Sequence, residues 1–256
     1  AEIAAVNNQL VPTVGTCSVM GTASTMACVT EALGMMIPGG ASAPAVSADR
    51  IRVAERTGAQ AVAMIAAGLV PSRILTPAAF ENAFRVLLAI GGSTNALIHL
   101  TAMAGRLGIE VDLDELDRFG RETPVLVDLK PSGQHYMEDL HAAGGLVTVL
   151  RELRPLLHLE ALTVTGRTLG EELEAAPVPF AQSVVRPFAD PIFAEGGLAV
   201  LRGNLAPGGA IIKQSAADPR LMEHEGRAVV FTGLEDLAAR IDSDELDVTP
   251  DDVLVL

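Results

Sequence analysis

A cysteine set among glycines, serines and threonines is the first place in this chain to look for chemistry. In Gly15-Thr16-Cys17-Ser18-Val19-Met20-Gly21-Thr22-Ala23-Ser24-Thr25-Met26, Cys17 stands just ahead of a stretch with helical character. Unpaired N–H groups and the helix dipole at such a start favour a thiolate, the form that binds metal or attacks carbon. Gly15 and Gly21 leave room for a cofactor to approach the backbone. An isolated cysteine is more often a small buried hydrophobe. Cys28 follows 11 residues later (28 − 17) on the same expected helix. That is about 16 Å along the axis, too far to share a small cluster with Cys17, and Cys28 reads as core.

A second candidate is Gly91-Gly92-Ser93-Thr94-Asn95. A glycine turn that opens a helix can hold a carboxylate on backbone N–H groups and hydroxyls, which makes Ser93, Thr94 and Asn95 substrate-pocket candidates. Plain helix capping is the simpler use of the same residues. His99 falls on the apolar stripe behind them and reads as a core histidine. Lys130-Pro131-Ser132-Gly133 and Gly203-Asn204-Leu205-Ala206-Pro207-Gly208-Gly209 read as turns that could border a site. The chain has no G-x-S-x-G elbow, no phosphate-binding P-loop, no G-x-G-x-x-G, no H-E-x-x-H and no C-x-x-C. His99, His135, His141, His158 and His224 have no paired ligand spacing.

The elements that must position these residues are mostly helical over the first 158 residues. Ser18 to Met35 is expected to be a helix, and Ala48 to Ala67 another, with Ser47 as its cap. Phe80, Ala83, Phe84, Leu87 and Leu88 recur at the spacing of a buried helical stripe that Gly91-Gly92 ends. The next helix carries Ala96, His99, Leu100, Met103, Ala104 and Leu107 inward, so the two form a helical hairpin. Val125 to Leu129 reads as a buried strand, and Leu146 to Leu157 as a helix. From Leu162 onward short β-rich runs appear at 162–164, 183–186, 198–201, 210–213, 228–231 and 253–256, interrupted by a helix at Leu234 to Ile241. Strands that follow helices in a block suggest two domains, with a boundary near residue 160.

The 256 residues carry 18 Lys+Arg against 32 Asp+Glu, a net charge of −14. Negative charge, no Lys/Arg cluster in the sequence and only 3% aromatic residues argue against a nucleic-acid partner. The same lack of a cluster makes a phosphorylated substrate a poor expectation. The longest apolar stretch, around Ala61 to Val70, is shorter than the roughly 20 residues a membrane span needs. Two cysteines cannot build a disulfide framework, so a cytoplasmic location is expected. Asp252 to Leu256 is a strand-like run with no turn or polar tail after it, which suggests part of a longer chain.

Together these pieces resemble the family of dihydroxy-acid, phosphogluconate and sugar-acid dehydratases. The resemblance rests on GTCSVMGTASTM (15–26), EALGMMIPGGASAPA (31–45), LTPAAFENAF (75–84), GGSTNALIHL (91–100), DLKPSG (128–133), MEDLHAAGG (137–145), LTVTGRTL (162–169) and LRGNLAPGGAIIK (201–213), in the family's order. The Met-Gly-Thr-Ala-Ser-Thr-Met run at 20–26 and Pro-Gly-Gly-Ala at 38–41 resemble the aldonate (arabinonate/xylonate-type) branch. The fold so implied is a helix-rich α/β part, residues 1–160, followed by the first part of a β-barrel-like swivel domain, residues 161–256. The resemblance implies a 2Fe–2S cluster, rather than 4Fe–4S, held by three cysteines of which Cys17 would be the third. It also implies Mg²⁺, and a homodimer or homotetramer. The other two cysteines, the Mg²⁺ ligands and the serine base have no counterpart here. The chain is therefore expected to be an internal segment, inactive alone.

For the intact enzyme the resemblance implies removal of water from a 2,3-dihydroxy sugar acid, an aldonate, to give a 2-keto-3-deoxy acid. Mg²⁺ would steady the enolate-like charge and an open iron would act on the 3-hydroxyl. The alternatives are the dihydroxy-acid dehydratase of branched-chain amino-acid biosynthesis, a non-catalytic assembly fragment, and an unrelated enzyme with Cys17 as nucleophile.

Overall fold

The computed structural model describes residues 15–256. These form two compact units, a large one through Ala216 and a small one, Ala217–Leu256.

In the large unit, α1 (Thr22–Ala32) is shorter than its sequence suggests, because Gly21 is its N-cap. Ser18 and Met20 are tied elsewhere: Met20 N–H donates to Lys130 O at 2.8 Å, and Met137 N–H to Ser18 O at 2.7 Å. α2 (Ala48–Ala67) has the expected bounds, with Ser47 Oγ accepting from Arg50 N–H and Gly68 ending it in the left-handed region. A short turn, α3 (Pro71–Ile74), leads into α4 (Pro77–Ala89), whose N-cap Thr76 accepts from Ala79 N–H.

The central element is α4. Its sequence shows one apolar stripe, yet it is buried nearly all round. Val86, Ala89 and Ile90 join a core with Cys28, Leu126, Leu140 and Leu146, while Phe80, Ala83, Phe84 and Leu87 join a second with Val29, Leu100, Phe119 and Leu198. A helix enclosed on every side is stabilised by packing rather than propensity. α5 (Asn95–Arg106) packs on it through Ala96, Leu97, Leu100 and Ala104. His99 is exposed, so the expected inner stripe was out of phase by part of a turn. α6 (Leu113–Glu122), with no counterpart in the sequence reading, is capped by Asp112 and buries Leu116 and Phe119. α7 (Met137–Ala142), α8 (Leu146–Glu152) and α9 (Leu169–Ala175) follow; Thr168 and Glu171 form a capping box on α9.

Two polar side chains on α4 are buried and paired. Asn82 exchanges two hydrogen bonds with the His158 backbone, at 3.0 and 2.8 Å. Arg85 bonds Glu81 and Glu122 at 2.9 Å each and Thr123 at 3.2 Å, with its guanidinium 4.7 Å from the Phe119 ring centre. Replacing one partner of a buried ion network leaves others unpaired, but Glu122 is 40% exposed and can turn to water. Arg85→Ala is therefore expected to cost about 2–3 kcal/mol, below the usual range for a fully buried pair. Urea unfolding measures it, and a loss under 0.5 kcal/mol would mean the network contributes only packing.

The strands correct the expected architecture. Val125 to Leu129 is buried and extended, but it makes only isolated bridges, Val125 to Phe193 and Val127 to Val185 among them. Among the described residues no sheet closes into a barrel. β1 (Ala199–Leu201) pairs antiparallel with β2 (Ala210–Ile212), and β3 (Ala228–Val230) pairs parallel with β4 (Val253–Val255). Each strand is three residues long and glycine or proline punctuates the connections, so the ladders are too short to propagate to a third strand. The swivel-type barrel is thus not found. The run at 253–256 does have a partner in the chain: β4 lies beside β3 in the small unit, joined through α10 (Leu234–Arg240) and the loop after it.

Candidate functional site

The fold brings together two of the segments singled out in the sequence. Gly92 lies against α1 so closely that a Cβ there would meet Thr25 Cγ2 at 2.7 Å and Leu87 Cδ1 at 2.6 Å. With no side chain at 92, the turn seats on the helix. Buried Thr25 then accepts from Ser93 N–H at 3.1 Å. Thr22 Oγ1 and Ser93 Oγ are 2.8 Å apart, and Asn95 Nδ2 donates to Thr22 Oγ1 at 3.0 Å. Asn95 N–H also donates to Ser93 Oγ at 3.3 Å.

The proton count in this cluster has a consequence. Two hydroxyls share one hydrogen bond, so one hydroxyl proton remains to be donated outward. Asn95, which is exposed, carries a carbonyl oxygen as well. The cluster therefore offers a donor and an acceptor side by side, the pattern that a vicinal diol or hydroxy acid complements. Thr94 is the N-cap of α5 but its backbone is already helical and its side chain makes no capping bond. Thr22 is the member that the sequence reading left out. Only its place in the Gly21-Thr22-Ala23-Ser24-Thr25 run hinted at it.

Cys17 stands apart from that cluster. It is exposed and unpaired, and its backbone oxygen accepts from Ser24 Oγ at 3.4 Å. Because α1 begins at Thr22, Cys17 is outside the first turn, where the dipole's influence fades. Cys28 is fully buried, and burial, with the nearby Glu31 charge, pushes its thiol far up. It is core, not chemistry.

The described residues do not fit the expected cofactors. No group of three or more His, Cys, Asp or Glu among them could hold a metal ion. A single exposed cysteine cannot retain an iron–sulfur cluster, whose irons need several protein ligands. The 2Fe–2S cluster on Cys17, the 4Fe–4S variant, the Mg²⁺ site and the metal-binding description are corrected accordingly for these residues. Nor is any described helix long and apolar enough to cross a membrane.

A third feature is the 38–43 loop. Glu31, fully buried at the end of α1, accepts from Gly39 N–H at 2.9 Å and Ala41 N–H at 2.8 Å. Arg50 of α2 donates to Gly40 O at 3.1 Å and to Ala43 O. Ser42 Oγ and Asp49 hold the two ring nitrogens of His141 at 3.1 and 3.3 Å. The loop is thus clamped from three elements.

Comparison with known proteins agrees with the motif pattern. The profile described as dihydroxy-acid/6-phosphogluconate dehydratase N-terminal matches residues 1–172, and its C-terminal counterpart matches residues 183–256. An L-arabonate dehydratase of Azospirillum brasilense is 50% identical over 233 residues, 90% of this chain and 40% of the relative. A dihydroxy-acid dehydratase of Caldanaerobacter subterraneus is 46% identical over 92% of this chain and 42% of the relative. Dihydroxy-acid dehydratase 1 of Methanosarcina acetivorans is 42% identical over 100% of this chain and 46% of the relative. The chain thus spans less than half the length of these relatives. Where an internal segment was expected, both the N-terminal and the C-terminal family regions are matched across nearly all of the chain. By these matches the chain belongs to the dihydroxy-acid/6-phosphogluconate dehydratase family.

Proposed function

We propose that the chain serves the dehydration of an aldonate to a 2-keto-3-deoxy acid. In that reaction the C2 proton and the C3 hydroxyl leave as water, and the resulting enol tautomerises to the ketone. The observation that carries this reading is the Thr22–Ser93–Asn95 cluster, which is built to hydrogen-bond adjacent hydroxyls. Its role is to bind and orient the polyol, while Thr25 and Gly92 hold it still. The relative named for L-arabonate supports an aldonate. Those named dihydroxy-acid dehydratase favour a branched aliphatic acid as the second reading.

Ser93→Ala in the active enzyme is expected to lower kcat/KM for an aldonate about tenfold, the worth of one hydrogen bond of roughly 1.4 kcal/mol. Asn95→Ala, at an exposed position, should do the same with an unchanged melting temperature. Unaltered kinetics in both variants would remove the cluster from the substrate pocket.

A further inference from the structure

Basic residues are scattered along this acidic chain, yet the fold gathers three arginines around one cavity. Arg56 of α2, Arg151 of α8 and Arg167 ahead of α9 line a space of about 490 Å³. That volume is within the range of small-ligand sites. The sequence shows no such cluster.

The charges of the cavity do not cancel. Arg167 is matched by Glu172, 3.9 Å away, and Glu172 also accepts from Thr165 Oγ1. Arg151 donates only to backbone oxygens, those of Leu173 at 3.2 Å and Ala176 at 2.9 Å. These bonds hold the guanidinium in place without pairing its charge with a carboxylate. Most other arginines of the chain pair with a carboxylate within 4.0 Å, as Arg52, Arg85, Arg118 and Arg154 do. Arg56 and Arg151 have no such partner among the described residues. Two uncompensated guanidinium groups facing one cavity, in a chain of net charge −14, call for a ligand of two negative charges.

The rest of the wall narrows the ligand further. Val147, Val178 and Phe180 supply apolar surface to the same cavity. A free inorganic ion would leave that surface wet, whereas an organic phosphate covers it. We propose that this cavity is a binding site for a phosphate monoester with an apolar face, gripped by Arg56 and Arg151. This site shares no residue with the Thr22–Ser93–Asn95 cluster, so it stands whether or not the reading of that cluster does.

The test is calorimetric titration of the 256-residue chain with phenyl phosphate, inorganic phosphate and benzoate near pH 7.5. Phenyl phosphate is expected to bind most tightly, and benzoate, with one charge, most weakly. Arg56 is exposed and makes no structural bond, so Arg56→Ala should leave folding intact and weaken phenyl phosphate binding at least tenfold. Arg151→Lys keeps a charge but loses the paired donors, and should also weaken it. Loss of affinity in 0.5 M salt is expected as well. No binding by the native chain, an affinity indifferent to Arg56, or benzoate binding as well as phenyl phosphate would overturn the proposal.

Discussion

A five- or six-carbon aldonate is expected to be turned over by the active enzyme with kcat/KM on the order of 10⁴-fold above that for 2,3-dihydroxyisovalerate. The physical basis is asymmetric. One methylene more or less in an apolar pocket changes binding by only about 1–3 kcal/mol, whereas a site built around hydroxyls leaves its own polar groups unpaired when an aliphatic chain enters. On the proposed reading Thr22, Ser93 and Asn95 would form such a site: the outward hydroxyl proton and the Asn95 carbonyl would need partners that the branched methyl groups do not have. Steady-state kinetics on both acids decides it. A preference for the branched acid would move the enzyme to amino-acid biosynthesis, consistent with the relatives named dihydroxy-acid dehydratase. Comparable values for the two would mean that the cluster does not face the substrate.

What was legible in the sequence was local. The Ser47 cap and the periodicity of α4 placed helices to within a few residues, because capping and packing there are short-range effects. The β-rich runs expected at 198–201, 210–213, 228–231 and 253–256 hold the four strands, whereas those at 162–164 and 183–186 make only isolated bridges, and no pairing was legible. Barrel closure depends on registers between distant strands, which a resemblance can suggest and a three-residue ladder does not sustain. α6 was missed because it is rich in charge and buries only Leu116 and Phe119 among its large apolar residues. His99 was placed inward because alanines blur the edge of an apolar stripe. At the candidate site, Ser93 and Asn95 were visible as a motif, but their contacts with Thr22 span 71 and 73 residues and no local pattern encodes them. The arginine cavity was invisible for the same reason.

Glu31 links the clamp on the 38–43 loop to pH. Its carboxyl is fully buried, and burial raises its pKa from 4.5 to about 7 even though the N–H groups of Gly39 and Ala41 favour the ionised form. Desolvation therefore wins over the two hydrogen bonds. A carboxyl whose folded pKa lies above its unfolded value binds its proton more tightly when folded. Its contribution to stability is complete below pH 4.5 and is lost as pH rises through about 7. The gap between those values corresponds to a loss of about 3 kcal/mol at 1.36 kcal/mol per pH unit. Denaturant unfolding of the chain is expected to show stability falling between pH 5 and 7.5. Glu31→Gln cannot titrate, so it should flatten that fall, although the amide places one N–H against a backbone donor and lowers stability at acid pH. Gly39, which donates to Glu31, also lines the arginine cavity, as does Pro38. An identical pH slope in native and Glu31→Gln chains would show that other groups, not this carboxyl, set the pH response.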